Sequence, residues 1–251
     1  MLHCYICKNK LKEKIKQPRD FEYFFKRKAK YLYCSNCSLI TQFPLPSNKQ
    51  IKKFYTEDYQ NYVGSNFLLL KIISKIFFYL KYLNLKQKYK KNILDYGCGS
   101  GEILNNFYVN GYKNIVGIDY VRSPTLNKKI SFYKNLNSVK RKFDLIILNH
   151  IIEHDRNPAS LLEKLKKRLS ENGVIIGSTP NSEDFFFKIF GRYWGCLHFP
   201  YHINIFSKNS LQTLCSKQNL VIDFYYDLQG TGISMSLENI IKYIFKIKKK
   251  G

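Results

Sequence analysis

The chain has 251 residues, 45% of them hydrophobic, so it can bury the core of one globular domain with a small appendage and is not disordered as a whole. Its formal net charge of +24 would ordinarily indicate a nucleic acid or an anionic membrane as the partner. However, only seven of the 42 Lys and Arg residues are Arg, and the basic residues are scattered among Asn, Ile, Tyr and Phe. This pattern favours a coding bias and leaves nucleic-acid binding as a minor alternative.

The N-terminal segment does not have the pattern of a secretory signal. Residues Met1 to Lys16 include Cys, Lys and Glu and contain no continuous apolar core. We therefore expect a cytoplasmic protein. In that reducing compartment the seven cysteines should be thiols or metal ligands rather than disulfides.

Two pairs of cysteines with the same spacing lie near the N-terminus, Cys4-x-x-Cys7 and Cys34-x-x-Cys37. Four thiolates at this spacing can form a closed tetrahedral zinc site, which holds together a segment too small for its own core. Because a full set of Cys ligands leaves no open coordination position, we expect the zinc ion to be structural. A redox role is disfavoured, since neither pair lies at a strand-to-helix turn.

We expect residues 1–62 to form this zinc-binding module, which ends in a helix that begins near Asn48. Residues 63–90 follow and contain the most apolar stretch of the chain, interrupted by three lysines that make it a poor membrane span. We expect an amphipathic connecting helix there. The alternative is a basic helix that lies on an anionic membrane surface.

A strand, a tight turn and a helix are predicted around residues 93–104. A short apolar run leads through Asp95 to three glycines on alternate positions, Gly97, Gly99 and Gly101. Glycine is needed where the backbone takes a positive φ or approaches a ligand closely, and the helix that follows presents unpaired N–H groups to an anion. A nucleotide-type cofactor fits such a loop.

The LDYGCGSG segment resembles motif I of the class I S-adenosylmethionine (SAM)-dependent methyltransferases, because its glycines are spaced G-x-G-x-G and not as in the dinucleotide fingerprint G-x-G-x-x-G. The resemblance implies that the turn at Gly97, Gly99 and Gly101 holds the methionine part of SAM. It also implies that Asp95 contacts the amino group of SAM, directly or through water. Residues 1–62, with their CxxC pairs, Pro-x-Pro and FYTEDY sequence, are similar to the N-terminal module of many bacterial methyltransferases encoded with polysaccharide genes.

A second acid supports a nucleotide site. Asp119 ends another short apolar strand about twenty residues beyond the glycines, where a nucleotide-binding fold places its ribose-binding acid. A carboxylate can accept hydrogen bonds from two ribose hydroxyls. We therefore predict that Asp119 binds the ribose. A capping or turn-forming role is the alternative.

Strand and helix patterns alternate from residue 92 to residue 226, which predicts an α/β fold with a Rossmann-like, doubly wound, mostly parallel sheet. We expect this SAM-binding domain to cover residues 91–228. The expected strands are 93–96, 114–118, 131–133, 143–149, 173–178 and 220–226. Ligands of such sheets bind beyond the carboxyl ends of the strands, where the glycine loop and Asp119 are predicted to lie.

The segment from Phe143 to His154 resembles the methyltransferase sequence FDLV...LEH. Asn149 is expected beside the cofactor at the end of a strand, with Glu153 and His154 one turn later. For His154, a capping or core role is as plausible as a chemical one. The Asn/Asp-Pro-Pro-aromatic signature of enzymes that methylate nucleobase amines does not occur here, which disfavours that activity.

A later arrangement, STPN...W...H...FS, resembles a subgroup of methyltransferases that includes quinone-biosynthesis and sugar-modifying enzymes. In such enzymes this insertion helps to cover the substrate. His198 and His202 flank Tyr201 here, so titratable groups lie beside an aromatic lid that should exclude water. We predict His202 as the general base, with His154 second and with Glu153, Tyr201 and His198 as further catalytic candidates. A structural role for His202 is the alternative. Ser207 is expected to cap the next helix.

The C-terminal residues 229–251 are predicted to form a basic tail. Residues 237–250 read as a basic amphipathic helix that could contact a membrane, and the usual seventh strand of the fold is not evident.

The resemblance implies methyl transfer from SAM to a small molecule, with a sugar, a sugar nucleotide or a lipid-linked glycan as the expected acceptor. One alternative is an RNA methyltransferase that uses the zinc module and basic surface to hold RNA. Another is a non-catalytic scaffold that retains the fold. We expect a cytoplasmic location, with peripheral contact to the inner face of the membrane as an option. The sequence does not predict the oligomeric state.

Overall fold

The computed structural model describes residues 2–54, 76, 78–83, 85, 91–230 and 232–245. The chain divides into two compact units. Unit 1 comprises Met1–Ile51, Ile152–Glu163 and Thr179–Gly251, and unit 2 comprises Lys52–Ile151 and Lys164–Ser178.

The strands in these ranges are β1 (Leu11–Ile15), β2 (Lys30–Cys34), β3 (Ile40–Phe43), β4 (Ile93–Tyr96), β5 (Ile115–Ile118), β6 (Ser131–Tyr133), β7 (Phe143–Asn149), β8 (Leu169–Ser178) and β9 (Asn204–Ile205). The α-helices are α1 (Asn48–Phe54), α2 (Glu102–Val109), α3 (Pro158–Lys166), α4 (Phe185–Phe190), α5 (Lys208–Ser216) and α6 (Ile233–Ile244). A π-helical turn covers Tyr79–Leu83, and 3-10 turns cover Leu136–Ser138, Ile152–His154, Gly191–Tyr193 and Gly195–Leu197.

Unit 2 contains a five-stranded sheet in the order β6-β5-β4-β7-β8, and every pair of neighbouring strands is parallel. The central strands are continuous apolar runs, and their side chains are buried along almost their whole length. Such runs are typical of parallel strands that are covered on both faces. The predicted α/β fold with a mostly parallel sheet is confirmed.

Aromatic side chains fill one side of the core of unit 2. Phe107 of α2 is fully buried, and its ring packs edge-on against Phe78 at 4.8 Å and Tyr112 at 5.4 Å between ring centroids. Edge-to-face contacts at this distance stabilise a core beyond simple area burial. Phe107 shares a buried cluster with Ile93 of β4 and Leu145 of β7, so α2, and hence the turn that precedes it, is packed against the sheet.

Unit 1 contains a four-stranded antiparallel sheet in the order β1-β2-β3-β9. Its core is built around buried Trp194 and Tyr31, with Phe187 at 5.1 Å from Trp194 between ring centroids. Strand β9 completes a sheet whose other strands come from the first 43 residues of the chain. The N-terminal residues therefore form one unit with later segments and do not stand as a module of their own.

Buried polar groups attach the segment before β9 to this sheet. The Tyr31 hydroxyl donates a hydrogen bond to the His202 carbonyl at 2.6 Å. The Gln42 amide donates to the carbonyls of Pro200 and His202, both at 2.8 Å. These bonds fix the backbone of His202, which carries one of the predicted catalytic side chains.

Several local predictions can be compared with the described residues. The predicted cap is confirmed, because the Ser207 hydroxyl accepts the Ser210 N–H at 3.0 Å at the start of α5. The predicted strand at 220–226 is wrong: these residues form no strand, because no neighbouring strand supplies partners for their backbone groups within the described ranges. The C-terminal helix begins at Ile233, earlier than predicted. The predicted boundaries at residues 62 and 90 lie outside the described residues.

The described helices are all too short to cross a bilayer, which requires about 20 residues.

Candidate cofactor site and metal-binding groups

The turn after β4 has the backbone geometry that its glycines predict. Gly97, Gly99 and Gly101 have φ values of 80°, 49° and 77°, all in the left-handed region. A Cβ atom at Gly97 would lie 2.0 Å from Ile151 Cδ1, and one at Gly101 would lie 2.5 Å from Leu126 Cδ1. These three positions therefore require glycine, both for the left-handed backbone and for the close approach of Ile151 and Leu126. Gly101 is also the N-cap of α2 and offers no side-chain acceptor to the first turn of that helix.

Asp119 lies directly after β5 and contacts this turn. One carboxylate oxygen accepts the Gly99 N–H at 2.8 Å, and the other accepts the Tyr120 N–H at 2.7 Å. Both carboxylate oxygens are thus held by backbone N–H groups, which fixes the orientation of the side chain beside the turn. The structure thus brings Asp119 and the glycine turn together at the carboxyl ends of β4 and β5.

Asp95 is the third residue of β4 and is buried, with 2% of its surface exposed. Burial, together with the smaller effect of the Asp119 charge, raises the pKa of its carboxyl group to about 7, while Lys81 opposes the shift. A buried carboxylate is costly unless a positive charge lies beside it. The Asp95 carboxyl group is consequently well suited to a cationic ligand group such as an ammonium ion.

Asn149 ends β7 in a polar network that the sequence did not predict. Its side-chain oxygen accepts hydrogen bonds from Lys81 Nζ at 2.8 Å and from the Ser178 hydroxyl at 3.1 Å. Its amide group donates to the Tyr82 hydroxyl at 2.6 Å. Burial lowers the pKa of Lys81, although Asp95 opposes that shift. The signal that could have identified Lys81 is its position as a cation within an apolar stretch.

The four N-terminal cysteines converge in unit 1, where their ligand atoms all lie within 4.8 Å of one another. The sulfur atoms of Cys4 and Cys37 are 3.7 Å apart, and those of Cys7 and Cys34 are 3.3 Å apart. Four sulfurs at about 2.3 Å from a zinc ion lie about 3.8 Å from one another in a tetrahedron. The cysteine cluster therefore fits a zinc ion in both donor chemistry and spacing.

The two CxxC turns also have matching backbone geometry. The Lys8 N–H donates to the Cys4 carbonyl and the Ser38 N–H to the Cys34 carbonyl, both at 2.9 Å. Lys8 and Ser38 have φ values of 65° and 56°, a conformation that is uncommon for residues other than glycine. Each turn thus directs its two sulfur atoms in the same way, as paired zinc knuckles require.

Three of the five predicted catalytic side chains form one group in unit 1, which we call the histidine cluster: Glu153, His154 and His202. Glu153 and His154 lie in the turn Ile152–His154 that follows β7, and His202 lies shortly before β9. The rings of His154 and His202 are 4.7 Å apart between centroids. His202 Nε2 lies 3.9 Å from a Glu153 oxygen.

The other two predicted catalytic residues have different contacts. His198 Nε2 lies 2.6 Å from a Glu22 carboxylate oxygen, and this contact lowers the pKa of Glu22 against the opposing effect of burial. Tyr201 stacks on the His198 ring with 4.7 Å between centroids. His198 and Tyr201 therefore lie beside the histidine cluster, with the His198 and His202 rings 5.0 Å apart. The polar partner of the His198 ring is Glu22 and not Glu153.

A family model described as a methyltransferase domain matches residues 69–223, which is more than half of the chain. The chain belongs to the methyltransferase family. The family resemblance expected from the LDYGCGSG segment is thereby confirmed.

Curated proteins similar to this methyltransferase include the ubiquinone biosynthesis O-methyltransferase of Rickettsia bellii (strain OSU 85-389). It is 31% identical over 101 residues, which cover 36% of this chain and 42% of that protein. The protein of the same name from Actinobacillus pleuropneumoniae serotype 7 (strain AP76) is 29% identical over 109 residues. These residues cover 36% of this chain and 46% of that protein. The chain thus spans less than half the length of these relatives.

Among solved structures, a SAM-dependent methyltransferase from Archaeoglobus fulgidus is similar at 17% identity and a TM-score of 0.48, covering 75% of this chain and 91% of that one.

Proposed function

We propose that this methyltransferase transfers the methyl group of SAM to a hydroxyl group of a small molecule, such as a sugar, a sugar nucleotide or a lipid-linked glycan. The observation that carries the proposal is the left-handed glycine turn between two acids. Asp95 is buried in the strand before the turn, and Asp119 accepts a hydrogen bond from the Gly99 N–H.

Each group of this site suits one part of the cofactor. The backbone of Gly97, Gly99 and Gly101 would hold the methionine part, and Asp95 would receive its ammonium group. Asp119 would accept the ribose hydroxyls, since a carboxylate can accept two hydrogen bonds from one ribose. Asn149 would border the same site as part of the network with Lys81 and Tyr82. The bound cofactor would supply a methyl group on a good leaving group, so the protein has chiefly to position the acceptor.

We infer the chemical class of the acceptor from the relatives and modules to which this chain is similar. The relatives from Rickettsia and Actinobacillus are named as O-methyltransferases, which favours a hydroxyl acceptor. The similarity of residues 1–62 to modules of polysaccharide-associated methyltransferases favours a glycan. Quinone-type phenols are the closest chemical alternative.

For the proton of the acceptor hydroxyl we propose the histidine cluster. A proton must leave this hydroxyl as the oxygen–methyl bond forms and the sulfur–methyl bond breaks, and a well-placed base contributes about 10²- to 10⁴-fold to the rate. Glu153 lies near His202 Nε2 and would stabilise a protonated imidazole. His202 remains the preferred base, followed by His154. His198 and Tyr201 would then shape the surroundings of His202.

We also propose that Cys4, Cys7, Cys34 and Cys37 hold a structural zinc ion. Such an ion would stabilise the turns on either side of β1 and β2, which belong to the sheet that fixes His202.

Calorimetric titration of the full chain with SAM tests the cofactor site. Asp119→Asn should weaken SAM binding at least tenfold, by about 1.4 kcal/mol or more. Glu171→Gln, which changes an exposed carboxylate of β8, should leave it unchanged. Equal affinities for all three proteins would contradict the proposed site.

RNA methylation remains the alternative, favoured by the net charge of +24. RNA binding by clustered phosphate contacts would weaken steeply between about 50 and 200 mM salt. Methyl transfer to bulk RNA with that salt dependence, and none to glycan acceptors, would replace the proposed substrate class.

A further inference from the structure

The histidine cluster combines three potential metal ligands from two separate segments of unit 1. One ligand atom from each of Glu153, His154 and His202 can be chosen so that all three lie within 4.8 Å of one another. Glu153 has no exposed surface and His202 is 6% exposed. The group is therefore enclosed by protein, and its members are not surface residues that meet by chance.

Hydrogen bonds fix the tautomer of both imidazole rings. His154 Nδ1 lies 3.1 Å from the Tyr201 carbonyl oxygen, and His202 Nδ1 lies 2.7 Å from the Cys196 carbonyl oxygen. A carbonyl oxygen only accepts hydrogen bonds, so each Nδ1 carries the proton. In the neutral ring the lone pair is then on Nε2. Histidines that bind metals characteristically donate their other N–H to a carbonyl or carboxylate in this way.

The charge of the cluster also favours a cation. Glu153 places a carboxylate in the interior, which requires a compensating positive charge. His202 Nε2 is 3.9 Å from the nearer Glu153 oxygen, longer than a direct hydrogen bond between these atoms. Two atoms bound to one metal ion at about 2.0–2.2 Å are about 3.3 Å apart in a tetrahedron, so a modest closure of the cluster would suffice.

We infer that Glu153, His154 and His202 bind one divalent first-row transition-metal ion, with zinc as the reference ion. Two imidazole nitrogens and one carboxylate oxygen suit zinc, iron or manganese better than magnesium or calcium. Three protein ligands leave at least one coordination position open, unlike the closed cysteine cluster.

The inference deepens the proposed function and rests on it only for the use of the ion. An open position can take a hydroxyl oxygen, and coordination lowers the pKa of that hydroxyl. The proton of an acceptor hydroxyl would then pass to solvent water at neutral pH, and the oxygen would take the methyl group as the sulfur–methyl bond breaks. In that case His202 is a ligand of the ion and does not itself accept the proton.

Metal titration of the full-length protein tests the inference without SAM or an acceptor, so its failure is distinct from a failure of the proposed function. The metal-free protein is titrated with Zn²⁺ and, in parallel, with Co²⁺, whose absorption distinguishes thiolate from nitrogen and oxygen ligands. We expect two equivalents, one with thiolate charge-transfer bands and one with ligand-field bands alone.

Substitutions in the cluster should remove only the second equivalent. Glu153→Gln and the less buried His154→Gln should each weaken it at least about 100-fold, while the thiolate-bound equivalent, which reports a folded unit 1, is retained. His198→Gln, a histidine from the same loop that pairs with Glu22, should keep both equivalents. A single equivalent in the unsubstituted protein, or a second equivalent that survives both cluster substitutions, would overturn the inference.

Discussion

The raised pKa of Asp95 makes SAM binding dependent on pH. Without a ligand the Asp95 carboxyl group has a pKa of about 7, chiefly because it is buried. A ligand ammonium group beside it stabilises the carboxylate and lowers the pKa in the complex. SAM should therefore bind the form of the protein in which Asp95 is deprotonated. Binding should release a proton from Asp95, and the number released per SAM bound should rise toward one as the pH falls below 7.

The magnitude follows from the fraction of Asp95 that is ionised. This fraction falls from about one half at pH 7 to about 3% at pH 5.5 for a pKa of about 7. The SAM dissociation constant should accordingly rise about 15-fold over this interval, a change of about 1.6 kcal/mol. Calorimetry in buffers of different ionisation enthalpy measures both the affinity and the number of protons released.

Two controls isolate the role of Asp95. The variant Asp95→Asn should bind SAM more weakly but with no pH dependence in this range, because the titrating group is absent. Methylthioadenosine, which lacks the ammonium group, should bind the unsubstituted protein without proton release. The reasoning is refuted if SAM affinity changes less than twofold between pH 7 and pH 5.5, or if Asp95→Asn keeps the dependence of the unsubstituted protein.

Further predictions concern stability and the metal. The pKa of Asp95 in the folded protein is raised above its ordinary value of 3.8, so the folded state binds this proton more tightly than the unfolded state. The resulting contribution to the free energy of unfolding is fully present below pH 3.8 and is lost as the pH rises through about 7. Denaturant unfolding of the ligand-free protein should show Asp95→Asn to be more stable at pH 8 by up to about 4 kcal/mol, and an unchanged midpoint would contradict this. Gly97→Ala should cost about 1–3 kcal/mol in the same assay, since its φ is 80° and the new Cβ would overlap Ile151; Gly111→Ala, with a φ of 89° and open space, isolates the backbone part of that cost. Cys34→Ser should lose the zinc measured by elemental analysis and lower the melting temperature, whereas Cys215→Ser should keep its zinc; equal zinc content in both would exclude the proposed ligand set.

Much of the cofactor site could be predicted because its signals are local. The alternation of apolar runs and glycines reports backbone conformation within a few residues, and the strands 93–96, 131–133 and 143–149 occur where they were predicted. The order of strands in a parallel sheet then places Asp119 and the glycine turn at the same edge. The cysteine spacing was equally informative, since each CxxC pair encodes one turn and the two turns have the same geometry.

Contacts between distant segments could not be predicted in the same way. Asn149 was expected beside the cofactor, but its partners Lys81 and Tyr82 come from a stretch that resembled a connecting or membrane-surface helix. The predicted strand at 220–226 has a suitable apolar pattern, with Val221 86% exposed and Phe224 83% exposed in the structure. A strand requires a neighbour for its backbone groups, and the local pattern does not show whether one is available.

The sequence by itself determined the family, the glycine turn with its two acids, and the set of four cysteines, because each of these depends on residues that are close in the chain. Only the tertiary structure decided which of the five predicted catalytic side chains meet. Glu153, His154 and His202 converge, whereas His198 pairs with Glu22. Their approach depends on how β9 and the segment before it pack against strands from the N-terminal residues, and such long-range packing leaves no periodic signal in the sequence.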